Sequence, residues 1–199
     1  VCALLILIRH PPVDLPSGIC YGRKDVGLAG GFDMTEIIDK IPKQPDLEIW
    51  SSPSRRCASV AIAVAEHLSA HVRYDDRLRE LDFGGWEGMA WSDVPRTALD
   101  AWAADPLGFA PPSGESGAQL VSRVQKFYLE MCALRFAHIV ISHGGPLRIL
   151  LALAQGAEVR LLAPSPPLGS VQIICPPAQG GRRLFVRKAL RGPSTNPRR

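Results

Sequence analysis

A chain of 199 residues has room for one full-sized domain and little more. Its 46% hydrophobic and 21% charged residues lie near the globular average, which excludes a disordered, collagenous or coiled-coil chain. The net charge of +4 is unevenly held: residues 1–158 carry 15 Lys and Arg against 19 Asp and Glu, whereas residues 159–199 carry eight Lys and Arg and no acid. The basic end has no long Lys/Arg run and no binding motif. It reads as a final strand and a tail at about 191–199, and no nucleic-acid partner is expected.

The opening VCALLILI is too short to span a membrane, lacks a basic leader and runs straight into Arg9 and His10, so it reads as a strand and no membrane association is expected. Residues 3–8 predict a central parallel strand buried on both faces, followed by a Pro- and Gly-rich loop over 11–31. A helix is predicted over Phe32–Ile41, ending before Pro42, and a strand at LEIWSS from Leu47. Ser51 or Ser52 with Pro53 opens a helix through Leu68. HVRYD at 71–75 is a short strand, and LRELDFGGWEG at 78–88 is too Gly-rich and acidic for a regular element. A short helix near Ser92–Ala104 and a long one from about Glu115 to Phe136 are separated by the breaker run PLGFAPPSG. HIVIS at 138–142 is a strand that meets His143, Gly144 and Gly145, and Pro146 opens the next helix. SVQIIC and RRLFVRKAL read as two final strands, the second at an edge. Five cysteines (2, 20, 57, 132 and 175) are an odd number without metal-ligand spacing. Free thiols, a reducing cytoplasmic location and no metal site are therefore expected.

Alternating strands and helices predict an α/β fold: a three-layer sandwich with a mainly parallel central sheet and helices on both faces. Neither a repeat nor a linker divides the chain, so a single domain over 1–199 is expected. Such sheets bind ligands beyond the carboxyl ends of their strands, where Arg9-His10 and His143 fall. Taken singly, each histidine reads as a strand cap and Arg55 and Arg56 as surface charge. Taken together, two histidines and at least two arginines on one rim describe a cationic pocket for a phosphate, with the paired glycines adding N–H donors at a helix start. Such a pocket can transfer a phosphoryl group without metal or cofactor. A neutral imidazole serves as nucleophile, arginine forks hold the oxygens, and a carboxyl of Glu80, Asp82 or Glu87 supplies the proton.

In this order LLILIRH, SSPSRRC at 51–57, LRELDFGGWEG at 78–88, PSGES at 112–116 and ISHGG at 141–145 resemble the histidine phosphatase superfamily, in its phosphoglycerate mutase-like branch. The resemblance covers roughly residues 4–150 and implies a phosphoglycerate mutase-like fold and a phosphomonoesterase working through a phosphohistidine. It implies His10 as the phosphate-accepting nucleophile, Glu80 as proton donor, and Arg9, Arg56 and His143 around the phosphate, with a backbone N–H from Gly144. Arg55, one place before the family arginine, is not carried over. Glu115 and Ser116 match a family signature whose role reads as mainly structural, with a substrate contact as the alternative.

The family usually continues RHG with Glu-Thr and a nearby Asn, whereas Pro11, Pro12, Val13 and Pro16 stand here. That loop and CYGRKDVGL at 20–28 resemble the α-ribazole phosphatases of cobalamin synthesis. They imply α-ribazole 5′-phosphate as substrate, with Tyr21, Gly22 and Arg23 shaping the pocket mouth and Arg23 meeting the phosphate or another anionic part of the substrate; a solvated loop arginine is an equal reading of Arg23. Three alternatives stay open: a phosphoglycerate mutase, a broad-specificity sugar phosphatase, and a regulatory protein that binds phosphate without turnover. Trp86, Trp91, Trp102 and Phe109 fall in a lid-like insertion at about 82–115, where core packing is the first reading and stacking on a flat substrate ring the second. The expected partner is a small-molecule phosphomonoester, and a homo-oligomer is compatible with the sequence.

Overall fold

The computed structural model describes residues 4–44, 46–134 and 136–175. Five strands form one sheet: β1 (Leu5–Arg9), β2 (Leu47–Ser51), β3 (Val72–Tyr74), β4 (Ala137–Ser142) and β5 (Val171–Ile174). Their spatial order is β3-β2-β4-β1-β5, parallel throughout except that β5 runs antiparallel to β1. The alternation of a strand sorts β1 between two cores. Leu5 and Leu7 pack with Val140 against α4 (Gly117–Ala133) and α5 (Gly144–Gln155), while Ile6 and Ile8 pack with Ile139 and Ile141 against α1 (Thr35–Ile38) and α2 (Arg55–Leu68). The result is the expected three-layer α/β arrangement, with a mixed, mostly parallel sheet in the middle. No helix among the described residues is long and apolar enough to cross a membrane.

Several element boundaries differ from the sequence reading, the start of α2 at Arg55 among them. The first helix shrinks to Thr35–Ile38, started by an Asp33 carboxylate that accepts the Thr35 N–H at 2.9 Å. The helix predicted from Ser92 begins only at Arg96, as α3 (Arg96–Ala104), because Pro95 disfavours helical geometry at Val94. α4 starts at Gly117 behind a reciprocal cap in which Ser116 and Gln119 satisfy each other's backbone N–H. α5 starts at Gly144, two residues before Pro146, so both glycines sit in its first turn. The predicted strand RRLFVRKAL and the basic tail lie outside the described residues; among those described, β5 is an edge strand beside β1.

The segment at 82–115 has its own small core of Trp86 and Val94 with Phe83, Trp91, Trp102 and Phe109, closed by Cys20 from the loop after β1. Trp86 stacks on Phe109 and Trp91 on Trp102. Reciprocal backbone bonds, Cys20 N–H to the Met89 carbonyl and Gly88 N–H to the Cys20 carbonyl, both 2.8 Å, tie this segment to the loop that leaves β1. The same loop carries Ile19 and Tyr21, so the segment's packing sets one wall of the site described next.

Candidate active site

β1 and β4 are parallel neighbours in the register Arg9 to Ser142, so the residues just past their ends are brought side by side. His10 N–H bonds the Ser142 carbonyl at 3.2 Å, and the rings of His10 and His143 lie 5.3 Å apart in an edge-on arrangement. β2 ends next to them, and after Ser52 and Ser54 the first turn of α2 turns Arg56 back over the sheet rim. Arg55 takes the outward side of that turn and is exposed.

His10 Nδ1 lies 2.7 Å from the Pro11 carbonyl. A carbonyl only accepts, so Nδ1 carries the proton and Nε2 keeps its lone pair. Burial, helped by the positive charges of Arg56 and Arg9, lowers the His10 pKa to about 3 and keeps the ring neutral, against a smaller opposing pull from the Pro11 bond. Pro11, one of the departures from the family pattern, thus supplies the backbone oxygen that fixes the tautomer.

Arg56 is completely buried, and among the described residues no carboxylate pairs with it. Its guanidinium donates to the carbonyls of Gly22 (2.6 Å) and Lys24 (2.9 Å) and to His143 Nδ1 (3.1 Å). The last bond requires an unprotonated Nδ1, which leaves His143 Nε2–H to donate to Ser52 Oγ at 2.8 Å. Burial first, then Arg56, hold His143 neutral as well. Both of its nitrogens are engaged by protein, so direct contact with a phosphate oxygen requires one of them to exchange its partner. Arg9 donates to the Pro166 carbonyl at 2.6 Å and likewise pairs with no carboxylate among the described residues. A buried cation without a counter-ion is costly, and an incoming anion relieves that cost.

Of three acidic candidates, only Glu80 faces this centre. Glu87 accepts backbone N–H groups of Arg23 (2.6 Å), Phe83 (3.1 Å) and Lys24, and Asp82 accepts that of Gly84 (2.8 Å); both are turn-forming carboxylates. Glu80 accepts the Leu81 N–H on one oxygen (2.9 Å) and the Gly145 N–H at the start of α5 on the other (3.1 Å). Its backbone is clamped by Arg123, which sequence reasoning missed. Arg123 donates to the carbonyls of Arg77, Arg79 and Glu80 at 2.6, 2.7 and 2.9 Å and forks onto Glu115 at 2.7 and 2.8 Å. Glu115 of the GES signature therefore contacts this arginine, in line with a structural role. Arg23 donates to the Glu80 carbonyl at 3.2 Å and approaches Glu115 at 3.8 Å. It supports the Glu80 loop and is neither on the cavity wall nor simply solvated.

A cavity of about 180 Å³ lies over these groups, walled by Arg9, His10, Ile19, Tyr21, Arg56, Glu80 and Trp91. The Tyr21 ring lies 5.3 Å from the Arg56 guanidinium carbon, so it orients that cation as well as bounding the mouth. Gly144 sits where a Cβ would fall 2.9 Å from Ser165 Oγ and 3.3 Å from the Arg9 guanidinium carbon, which explains a glycine at this helix start. Among the described residues no group of three His, Cys, Asp or Glu is arranged to hold a metal ion.

A model of the histidine phosphatase superfamily (branch 1) matches residues 5–185. The chain belongs to the histidine phosphatase superfamily, branch 1. It is similar to phosphoserine phosphatase 1 of Hydrogenobacter thermophilus, 28% identical over 163 residues that cover 78% of this chain and 77% of the relative. Among solved structures it resembles a mycobacterial glucosyl-3-phosphoglycerate phosphatase, with a TM-score of 0.73, 25% identity and coverage of 87% and 90%. It shares its fold with the α-ribazole phosphatase of Shigella flexneri, with a TM-score of 0.74, 22% identity and coverage of 85% and 89%. The protein is thus a phosphatase of the histidine phosphatase family, with the phosphoglycerate mutase-like fold. Relatives named for three different monoesters leave its own substrate to the cavity walls.

Proposed function

We propose that this histidine phosphatase hydrolyses phosphomonoesters in two in-line transfers through a phosphohistidine on His10. The observation that carries the proposal is the His10 ring itself, neutral, with Nδ1 committed to Pro11, on the wall of a cavity that also holds Arg9, Arg56 and Glu80. The Nε2 lone pair attacks phosphorus as the ester P–O bond breaks, and protonated Glu80 gives its proton to the departing alkoxide. Water then attacks phosphorus and passes a proton to the Glu80 carboxylate. The P–N bond breaks, phosphate leaves, and both side chains return to their starting forms. Arg9 and Arg56, with the Gly144 N–H at the helix start, stabilise charge on the phosphoryl oxygens. His143 orients Arg56 through the 3.1 Å bond.

Phosphate release measured over nucleotide, sugar and glycerate monoesters, with EDTA present, tests this scheme together with its independence of metal. The expected result is turnover by the native chain, an acid-labile phosphoenzyme, and neither in His10→Ala. Normal turnover in that variant disproves the scheme, and isomerisation without phosphate release points to a mutase. A finer reading, α-ribazole 5′-phosphate as substrate, draws support from Tyr21 and Trp91, two aromatic side chains on the cavity wall that suit a flat base.

A further inference from the structure

A second cavity, of about 250 Å³, adjoins the first. Arg9 and Glu80 belong to both walls, so the two spaces flank the same carboxyl that would protonate a leaving oxygen. Phe83 and Trp102 contribute apolar surface to its wall, and its remaining polar groups include Arg148 and Ser165. Arg148 lies one helical turn beyond Gly144 on α5, which places both on one helix face.

The charge in this space is unbalanced. Arg148 donates to the Leu161 carbonyl and to Ser165 Oγ, while its buried Nε has no partner among the described residues, and no carboxylate there pairs with it. Two of its five N–H donors are thus committed to protein. Ser165 Oγ accepts from the guanidinium, so its own proton is directed to another acceptor. Arg9 adds a second cation on the same wall. Glu80 is the carboxylate on this wall, so two cations there face one anion. Burial depresses the Arg148 pKa; the Glu80 charge opposes this, and Arg9 adds to it more weakly.

We propose that this second cavity seats the leaving-group end of the substrate, with Arg148 and Ser165 taking a carboxylate carried by the departing alcohol. One guanidinium and one hydroxyl match the two oxygens of a monoanion, in a space whose wall also carries the apolar rings of Phe83 and Trp102. The inference rests on His10 as phosphoryl acceptor. It favours an acidic leaving group over α-ribazole 5′-phosphate, whose departing alcohol has no acid to meet Arg148.

The test compares kcat/KM for 3-phosphoglycerate and glycerol 3-phosphate, which share a carbon skeleton and differ in the carboxylate, with p-nitrophenyl phosphate as a measure of phosphatase activity as such. The native chain should prefer 3-phosphoglycerate by about tenfold or more, the effect of one charge-assisted hydrogen bond. Arg148→Met should bring that ratio close to one, mainly through KM, and Ser165→Ala, a milder change, should lower it several-fold. A native ratio near one, or a ratio unchanged in both variants, overturns the inference while p-nitrophenyl phosphate hydrolysis leaves the phosphatase reading standing. Absence of phosphate release from all three esters, or full turnover by His10→Ala, removes both.

Discussion

Replacing Arg123 by Met strips five hydrogen-bond donors from the loop that carries Glu80. The three carbonyls of Arg77, Arg79 and Glu80 and both oxygens of Glu115 lose partners held at 2.6 to 2.9 Å. The Arg123 and Glu115 side chains are only 15% and 12% exposed, so water replaces these bonds poorly. Breaking such a pair by removing one member costs about 3 kcal/mol or more, which lowers the Tm of a chain of this length by about 6–12 °C. Catalysis should suffer separately, because the Glu80 backbone keeps only Arg23 of its two arginine donors. A positioned general acid contributes about 10²–10⁴, and a displacement of about 1 Å removes about 10² of it. The assay is kcat well below the new Tm on an alkyl monoester, which needs a proton on its leaving oxygen, and on p-nitrophenyl phosphate, whose stable anion does not. We expect about a 10²-fold loss on the first and a much smaller one on the second, with Glu80→Gln showing the same contrast and the double variant little worse than Glu80→Gln alone. Equal losses on the two esters, or additive effects in the double variant, would falsify the view that Arg123 works through Glu80.

Because burial holds the folded His10 pKa at about 3, below the 6.5 of a free ring, the unfolded chain takes up a proton between those limits that the folded chain refuses. Stability is therefore complete above pH 6.5 and is lost as pH falls toward 3, by at most about 1.4 kcal/mol per pH unit for this group. His10 ring resonances, identified by difference from His10→Asn, should stay constant from pH 7.5 to 4.5; a transition centred near 6 contradicts the assignment. In Gly145→Ala the new Cβ falls 2.3 Å from Glu80 Oε1, the end of a flexible side chain. The carboxylate should swing aside, lowering kcat on alkyl monoesters by about 10² with little change in Tm; unaltered kcat would show that its position does not matter. Ser116→Ala removes the α4 cap, about 1 kcal/mol, and should lower Tm by about 2–4 °C with kcat/KM unchanged, whereas a rise in KM would mark Ser116 as a substrate contact.

The alternation of aliphatic strands with helices determined the layered α/β class from sequence alone, since the unbroken aliphatic run of β1 already implies a strand buried on both faces; the structure then sorts Leu5 and Leu7 from Ile6 and Ile8. The strand-terminal placement of Arg9, His10 and His143 was equally legible, because chemistry in such folds gathers at carboxyl ends. The ends of α3 and α5 depended on local backbone geometry at Pro95 and on the helix starting at Gly144, which periodicity does not register. The three carboxylates of the acidic loop looked alike by residue chemistry; the family resemblance pointed to Glu80, and the bonding of Asp82 and Glu87 to turn N–H groups sets those two apart from it. Arg123, Arg148 and Ser165 stand in no motif: Arg148 and Ser165 become legible only when α5 and the loop after it meet at one cavity edge, and Arg123 only when α4 packs on the Glu80 loop. A chain records which side chains are available, but hydrogen-bond partners distant in sequence are chosen by packing. The engagement of both His143 nitrogens and the charge imbalance beside Glu80 therefore belonged to the tertiary structure, whereas the His10 tautomer is set by the carbonyl of its chain neighbour Pro11.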